Sequence, residues 1–192
     1  MGCDIHLRLE RKLKKDKKHN EYYTEKAGEW QNCCIFNYNK TWGDRIYGMF
    51  AQLADVRNYN KREHIPLRGM PEDCCDSTME CYGYIVTDEV KEKYYDWEIP
   101  RYKADDWVQS GYSQYFKIGE TEFVSCPDWH SPNWCTTQEM EDCINKLFKN
   151  EDGVYNGDYI EWLALLGAMK GYEQSGEYEC RAVFWFDNQF EI

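Results

Sequence analysis

The chain has 192 residues, enough for one domain with a proper hydrophobic core, and it carries a net charge of −12 with a pI near 4.8. That acidity argues against a broad duplex-DNA binding face, because affinity for DNA comes mainly from Lys and Arg residues that neutralise phosphates. Apolar residues make up 42% of the chain and aromatic residues 17%, so the composition predicts a folded protein whose core rests on large rings.

The amino terminus and the cysteines bear on the cellular compartment. No apolar segment follows the first residues and no stretch approaches the length of a membrane span, so we expect neither a secretory signal nor membrane insertion. The 10 cysteines include no C-x-x-C pair, and we expect mostly reduced, partly buried thiols in the cytoplasm. The opening "MGC" is typical of acylated proteins, but His6 stands where myristoylation requires Ser or Thr.

The first third of the chain predicts two strands and a helix. Apolar residues alternate over 3–13 as in a half-buried strand, which runs into a basic, charged turn. A second extended segment over 29–39 is expected to return antiparallel to the first. The stretch 43–58, "GDRIYGMFAQLADVRN", has apolar residues at helical spacing and Asp44 as a candidate N-cap.

The middle of the chain is the least regular part. Residues 64–78 contain two prolines and a glycine and are predicted to form a loop. Residues 84–125 are predicted to be an irregular insertion that holds a short helix and a hairpin closed around Gly119.

The last third predicts two helices and a strand. Thr136 and Glu139 form a capping-box pattern before an apolar stripe, and "GDYIEWLALLGAMKGY" predicts a second helix capped by Asp158 and ending at Gly171. Alternation in "EYECRAVFWFDN" predicts a final strand. Together the elements predict one α+β domain over 1–192, with a small, mainly antiparallel sheet, its first and last strands central, and about three packed helices.

The motif Asp-x-His occurs twice, in "MGCDIHLRLE" and in "CPDWHSPNW". Residues i and i+2 of a strand point to the same face, so each pair can converge on one point where its segment is extended. Two carboxylates and two imidazoles suit Zn, Mn, Fe or Ni. The pattern therefore predicts one divalent metal site, with the ligands Asp4, His6, Asp128 and His130.

Other interpretations of the two motifs stay open. Asp4 can instead cap a loop while His6 is a hydrogen-bonded, partly buried histidine, or both pairs can serve acid–base chemistry without a metal. The segment "CPDWHSPNWC" is also compatible with a mixed Cys/His zinc loop. A Cys–His nucleophilic pair requires adjacency in space that the sequence does not show.

Two arginines are candidates for binding an anionic substrate. Arg57 follows the first predicted helix and Arg68 lies in "PLRGMPED", and a loop guanidinium can clamp carboxylate or phosphate. A structural ion pair with Asp55, Glu72 or Asp73 is the alternative. His64, in the Pro/Gly loop, and Asp187, at the end of the last strand, are additional candidate site residues, although Asp187 also suits a turn.

Five blocks of sequence carry a family resemblance: "MGCDIH", "RIYGMFAQLADVRN", "PLRGMPEDCCDS", "DWHSPNW" and "VFWFDN". Together they resemble an uncharacterised family encoded by bacteriophages and prophages, outside the 84–125 insertion. The resemblance implies a phage origin and expression in the cytoplasm of a bacterial host, and it supplies no catalytic roles. The family pattern is closer to "HSxSW", whereas Pro132 and Asn133 precede Trp134 in this chain, which puts any family role of position 133 in doubt.

Two functions compete at this point. The first is a metal-dependent hydrolase of a phosphoester or small nucleotide, in which the ion activates water and Arg57 or Arg68 holds the anion. The second is a non-catalytic phage accessory or counter-defence protein that binds a host defence protein or sequesters a signalling nucleotide. Its candidate contact residues are Tyr94, Tyr95 and Trp97, because exposed aromatic side chains among charges favour interfaces.

Overall fold

A computed structural model describes residues 3–33, 46–155, 157 and 159–187. In chain order its strands are β1 (Ile5–Leu13), β2 (Lys17–Lys18), β3 (Thr24–Glu25), β4 (Trp30–Asn32), β5 (Gly83–Thr87), β6 (Glu98–Pro100), β7 (Tyr115–Ile118), β8 (Thr121–Ser125), β9 (Trp129–Thr136) and β10 (Tyr178–Asp187). Its helices are α1 (Tyr47–Ala54), α2 (Asp76–Tyr82), α3 (Arg101–Gln109), α4 (Thr137–Phe148) and α5 (Ile160–Gln174). These elements confirm the predicted α+β class. Within the described ranges, no helix has the length and apolar character needed to cross a membrane.

The central sheet is antiparallel and has the strand order β4-β1-β10-β9. Strands β1 and β10 pair along their whole length, from Ile5 opposite Phe186 to Leu13 opposite Tyr178. The first and last strands are therefore central, as their alternating patterns predict. The short strand β4 confirms the antiparallel return of the second segment as far as Asn32.

The sheet has two different faces. Ile5, Leu7 and Leu9 are buried on the inner face, which is covered by α1, α4 and α5. This burial supplies the main hydrophobic stabilisation, because apolar area removed from water is the largest favourable contribution to folding. The outer face carries His6, Arg8 and Glu10 in the alternate positions, so polar residues of β1 lie on the side away from these helices.

The helix ends follow the predictions only in part. Thr136 is the N-cap of helix α4 and forms both hydrogen bonds of the predicted capping box with Glu139. Helix α5 does not end at Gly171 as predicted but continues to Gln174. Gly171 does not adopt the left-handed φ that ends many helices, and the next glycine along the chain, Gly176, does, at 73°. The N-caps predicted at 44 and 158 lie outside the described residues.

Residues 83–125 form a second sheet rather than an irregular segment. Its order is β6-β5-β8-β7, and α3 covers one of its faces over Ile99, Ala104 and Val124. The predicted hairpin joins β7 to β8 with Gly119 at φ 57°, and α3 supplies the predicted helix. Strands β5 and β6 were not predicted, because they have only five and three residues, too few to show a period.

A buried ion pair fixes the loop before α2 to the outer face of the central sheet. The guanidinium of Arg181 donates to Glu10 at 2.7 Å and to the carboxylate of Asp73 at 2.6 Å. Glu10 also accepts the backbone N–H of Cys75 at 3.1 Å. Glu10 and Arg181 thus satisfy each other's charge where water has little access, whereas Asp73 is exposed at the edge of this arrangement.

Candidate active site

Three strand ends meet at one end of the central sheet. Strands β1 and β9 begin there and β10 ends there, as the pairs Ile5–Phe186 and Phe186–His130 show. Asp4 lies just before β1, and its carbonyl accepts the backbone N–H of Asp187 at 3.1 Å. Both Asp-x-His segments therefore reach the same end of the sheet.

The two histidines lie on opposite faces of that sheet. His6 is opposite Trp185, with their rings stacked at 5.9 Å, and its ring centroid is 5.0 Å from that of Trp129 on the outer face. His130 is opposite Phe186 and its ring lies 6.2 Å from the ring of that inner-face residue. The imidazoles are thus separated by the sheet itself.

The structure does not bring the four predicted metal ligands together. Asp128 lies in the turn before β9 with φ 68°, so it lacks the extended backbone that a same-face pair with His130 requires. In residues 3–33, 46–155, 157 and 159–187, no group of three or more His, Cys, Asp or Glu side chains is placed to hold a metal ion. Binding of Zn, Mn, Fe or Ni stays a prediction, without a ligand set that the described residues supply.

His6 instead forms a pair with Asp187, another of the candidate residues. The His6 Nε2 and Asp187 Oδ2 atoms are 3.0 Å apart, and Asp187 Oδ1 accepts the backbone N–H of Asp4 at 3.1 Å. Asp187 therefore joins the two ends of the chain at the sheet, and it belongs to β10 rather than to a turn. The backbone of Asp4 takes part in this arrangement.

A cavity of about 580 Å³ lies on the inner-face side of the same sheet end. It is lined by Cys3, Asp55, Val56, Arg57, Tyr59, His130 and Ser131. The cavity thus combines one predicted anion-binding residue with one predicted metal-binding residue. Its size falls in the range of about 300–1,000 Å³ that small-molecule sites occupy.

Strained backbone surrounds this cavity. Asp55, Arg57 and Ser131 have φ values of 58°, 51° and 48°, in the left-handed region that costs a residue with a Cβ about 1–2 kcal/mol. Such strain persists only where the surrounding structure enforces it, and it is concentrated at functional sites. Asp55 is the left-handed C-cap of α1, which is a common way for a helix to end. The strain at Arg57 and Ser131 has no such explanation, and it favours a functional role for this part of the cavity.

The strain at Ser131 coincides with a β-bulge. Between the pairs Phe184–Asn133 and Phe186–His130, β10 advances by two residues and β9 by three. A bulge of this kind redirects side chains and is common beside active sites. Pro132 is compatible with it because β9 is an edge strand.

Asn133 holds the two walls of the cavity together. Its buried side-chain amide donates to the carbonyl of Leu53 at 2.7 Å and to that of Pro66 at 3.1 Å, and its oxygen accepts the backbone N–H of Arg68 at 2.9 Å. These bonds join β9 to the end of α1 and to the following loop. Position 133 therefore has a structural role that places Arg57 beside the bulge.

Arg57 is the cation of the cavity. Its guanidinium lies 4.9 Å from the ring of Tyr47, and its side chain hydrogen-bonds to the thiol of Cys3. Desolvation lowers the pKa of Arg57, but Tyr47 and Cys3 raise it by more, so the guanidinium stays charged. Burial raises the pKa of the Cys3 thiol more than Arg57 lowers it, so this thiol is protonated at neutral pH.

His130 and Ser131 form a base–hydroxyl pair in the cavity wall. The His130 Nδ1 and Ser131 Oγ atoms are 2.9 Å apart, within the range required for proton transfer. Beside them, Asp128 Oδ1 is buried and has no hydrogen-bond partner among the described residues. The pair can move a proton to or from a bound molecule that Arg57 holds.

The remaining candidates lie outside this cavity. Arg68 forms an ion pair with Glu139 rather than with Asp55, Glu72 or Asp73. It also donates to the carbonyl of Trp134 at 3.0 Å and stacks over the ring of that residue. His64 is exposed and its Nδ1 lies 2.8 Å from the carbonyl of Ile65, beside a separate cavity of about 160 Å³.

No pattern in the sequence marks Cys3, Asp55, Tyr59 or Ser131 as site residues. Asp55 and Tyr59 flank the selected Arg57 in the sequence, so proximity was an available signal. Ser131 follows His130 directly, but only the bulge shows that the hydroxyl turns back toward the imidazole.

Comparison of the chain with protein-family models, with curated proteins and with solved structures gives no match.

Proposed function

We propose that the protein hydrolyses a small phosphoester in the cavity that joins Arg57 to the His130–Ser131 pair. The observation that carries this proposal is that one fixed cation and one base–hydroxyl pair line the same cavity, on strained backbone. Phosphoester hydrolysis needs both a positive charge that holds the phosphate and a group that moves a proton. The net charge of −12 favours a small anion in a pocket over a polymer.

Arg57 has the role of binding the phosphate. A guanidinium offers several N–H donors in one plane, which suits two phosphate oxygens at once. Its contacts with Tyr47 and Cys3 orient the side chain before a ligand arrives. A side chain that is already oriented loses less conformational entropy when the ligand binds.

Ser131 and His130 have the roles of nucleophile and general base. Ser131 Oγ attacks phosphorus while its proton passes to His130 Nδ1, and the protonated imidazole returns that proton to the departing alkoxide. A water molecule that gives its proton to His130 then attacks phosphorus, the bond between phosphorus and Ser131 Oγ breaks, and the imidazolium returns the proton to that oxygen. No step is assigned to a metal ion, because the described residues supply no set of three ligands.

Sequestration of a signalling nucleotide by the same cavity is the second candidate. It uses Arg57 in the same way and differs only in the absence of turnover. Phage origin and a location in the bacterial cytoplasm belong to this proposal as well, and their support is the five-block sequence resemblance.

The test compares turnover in matched variants. Release of p-nitrophenol from mono- and bis-(p-nitrophenyl) phosphate, and of phosphate from mononucleotides, is measured for the wild type and for Arg57→Gln, His130→Gln and Ser131→Ala, with chelator and with added Mn, Zn, Fe or Ni. We expect His130→Gln and Ser131→Ala to lose roughly 10²–10⁴-fold in rate.

Arg62→Gln is the control, because it removes the same charge from an exposed side chain outside the cavity lining. It is expected to keep the wild-type rate. Calorimetric titration with the same phosphates distinguishes the two candidates, since binding that depends on Arg57 without product indicates sequestration. Absence of both turnover and Arg57-dependent binding would refute the assignment of this cavity.

A further inference from the structure

The second sheet leaves one apolar face partly uncovered. Helix α3 covers the face that carries Val124, whereas the other face carries the half-buried side chains of Ile85, Phe116, Ile118 and Phe123. The rings of Phe116 and Phe123 are stacked at 5.3 Å. Helix α2 covers only one end of this face, where Tyr82 contacts Phe116. An open apolar face of this kind marks a site of interaction.

A groove runs between α2 and this face. It encloses about 350 Å³ and its apolar wall consists of Met79, Ile85, Trp97, Ile118 and Phe123. The groove is separate from the cavity of Arg57, with which it shares no lining residue. It is large enough to receive a few apolar side chains of another molecule.

Trp97 is a partly exposed residue at the edge of the groove, and its orientation is held by its neighbours. Its side chain is 46% exposed, and its ring is stacked on Tyr95 at 5.0 Å with an angle of 1° between the planes. Its carbonyl accepts the backbone N–H of Ile85 at 2.9 Å, which fixes the backbone to β5. A large ring held in place loses little entropy on binding, and tryptophan is enriched among residues that dominate binding energy.

Two carboxylates define the charge of the groove. Asp76 and Glu80 are exposed, four residues apart on α2, and both line the groove. Neither has an ion-pair or hydrogen-bond partner among the described residues. Among the described residues that line the groove there is no Lys or Arg to neutralise this negative charge.

We propose that this groove binds a basic segment of a partner protein. Apolar side chains of the segment occupy the wall beside Trp97, and a Lys or Arg lies next to Asp76 and Glu80. Charge complementarity selects this occupant over a second copy of the chain, because two copies with a net charge of −12 each repel one another. The groove is thus an interaction surface in addition to the proposed hydrolytic cavity.

The experiment uses the full chain and three labelled ten-residue peptides, followed by fluorescence anisotropy. One peptide alternates Lys and Leu, the second replaces each Lys with Glu, and the third replaces each Leu with Ser. We expect only the Lys–Leu peptide to bind, with an affinity that falls as salt is added because the charge attraction is screened.

Two sets of variants locate the binding. The double variant Asp76→Asn/Glu80→Gln and the single variant Trp97→Ala should each weaken binding of the Lys–Leu peptide by roughly tenfold or more, the scale of a well-placed interface contact. The control Asp152→Asn/Glu151→Gln makes the same change of charge in an exposed loop outside the groove and should bind as the wild type does. All four carboxylates are exposed, so these variants are expected to fold.

Three results would overturn the proposal. They are no binding of the Lys–Leu peptide, equal weakening in the control variant, and a concentration-dependent dimer in sedimentation that Asp76→Asn/Glu80→Gln dissociates. The last result would assign the groove to a second copy instead.

Discussion

His6 and His130 lie on opposite faces of one sheet, although they occupy the same end of it. His6 is paired with Asp187 at 3.0 Å on the outer face, and His130 is paired with Ser131 at 2.9 Å beside the inner-face cavity. One metal ion cannot bind both imidazoles in this fold, because the backbone of the sheet lies between them. The two motifs therefore act separately in this fold.

The separation predicts different results for two matched substitutions. We expect Asp187→Asn to leave phosphoester turnover close to wild type, because its partner His6 faces away from the cavity. His130→Gln should abolish turnover by removing the base. Rates are measured after circular dichroism has shown that both variants fold. An equal loss in both variants would show that the outer-face pair takes part in the reaction.

The same separation makes a prediction about metal content. We expect no bound ion that is lost in both His6→Ala and His130→Ala, since no described group of three ligands contains either residue. Metal per chain is measured by mass spectrometry on protein purified without an affinity metal. One equivalent in the wild type that disappears in both folded variants would restore the shared site predicted from the sequence.

The strain at Ser131 predicts that two variants with the same loss of activity differ in stability. Ser131→Gly and Ser131→Ala both remove the hydroxyl, so both should lose turnover. At φ 48° glycine is relaxed and alanine is strained, so the glycine variant should be more stable than the alanine variant by about 1 kcal/mol. Urea unfolding of the two variants measures this difference. A more stable alanine variant would contradict the assignment of strain.

The sequence was sufficient for the frame of the fold and insufficient for the geometry of the site. Alternation in β1 and β10 identified two long strands, and their antiparallel pairing brings 4–6 and 186–187 to one end of the sheet. Residues 128–130 reach the same end because β9 pairs with β10. The face on which His130 points depends on the turn at Asp128 and on the bulge at Ser131. A shift of one residue in the pairing of two strands reverses the face of every following side chain. No residue pattern in the sequence predicts the shift at this bulge.

The arginines show the same limit. Arg57 follows the first predicted helix and Arg68 lies in a predicted loop. The two residues were therefore equal candidates as anion ligands. The difference arises in three dimensions, because Glu139 lies within ion-pairing distance of Arg68, while Arg57 lines the cavity. A sequence cannot show that Glu139 lies beside Arg68 in the folded chain.

The Arg68–Glu139 pair predicts a dependence of stability on pH. Burial would raise the pKa of Glu139, but hydrogen bonds from Arg68 and from the backbone of Thr136 lower it by more, so its pKa lies below the ordinary value of 4.5. A pKa that is lower in the folded state adds stability above pH 4.5, and this contribution is lost as the pH falls below that value.

Glu139→Gln isolates the charge, because glutamine also completes a capping box. We expect this variant to lose about 1 kcal/mol at neutral pH and to show a smaller decrease in stability on acidification than the wild type. The measurement is urea unfolding at neutral pH and well below pH 4.5. Parallel pH profiles for the two proteins would show that Glu139 does not contribute the expected linkage.

The buried pair of Glu10 and Arg181 predicts a large asymmetry between single and double substitutions. Glu10 is 0% exposed and Arg181 is 3% exposed, so Glu10→Gln leaves a guanidinium buried with less compensation and should cost roughly 3–5 kcal/mol. Glu10→Leu combined with Arg181→Met removes both charges, and it should recover much of that loss because neither partner is then left alone. Urea unfolding measures the three proteins, with Asp16→Asn as the control, since that residue forms an exposed ion pair and its loss should change stability little.

Because Arg181 also holds Asp73, the double variant should loosen the loop before α2, which faster hydrogen exchange in that loop would show. A double variant no more stable than Glu10→Gln would mean that the outer face depends on the loop contacts of Arg181 rather than on the balance of the two charges.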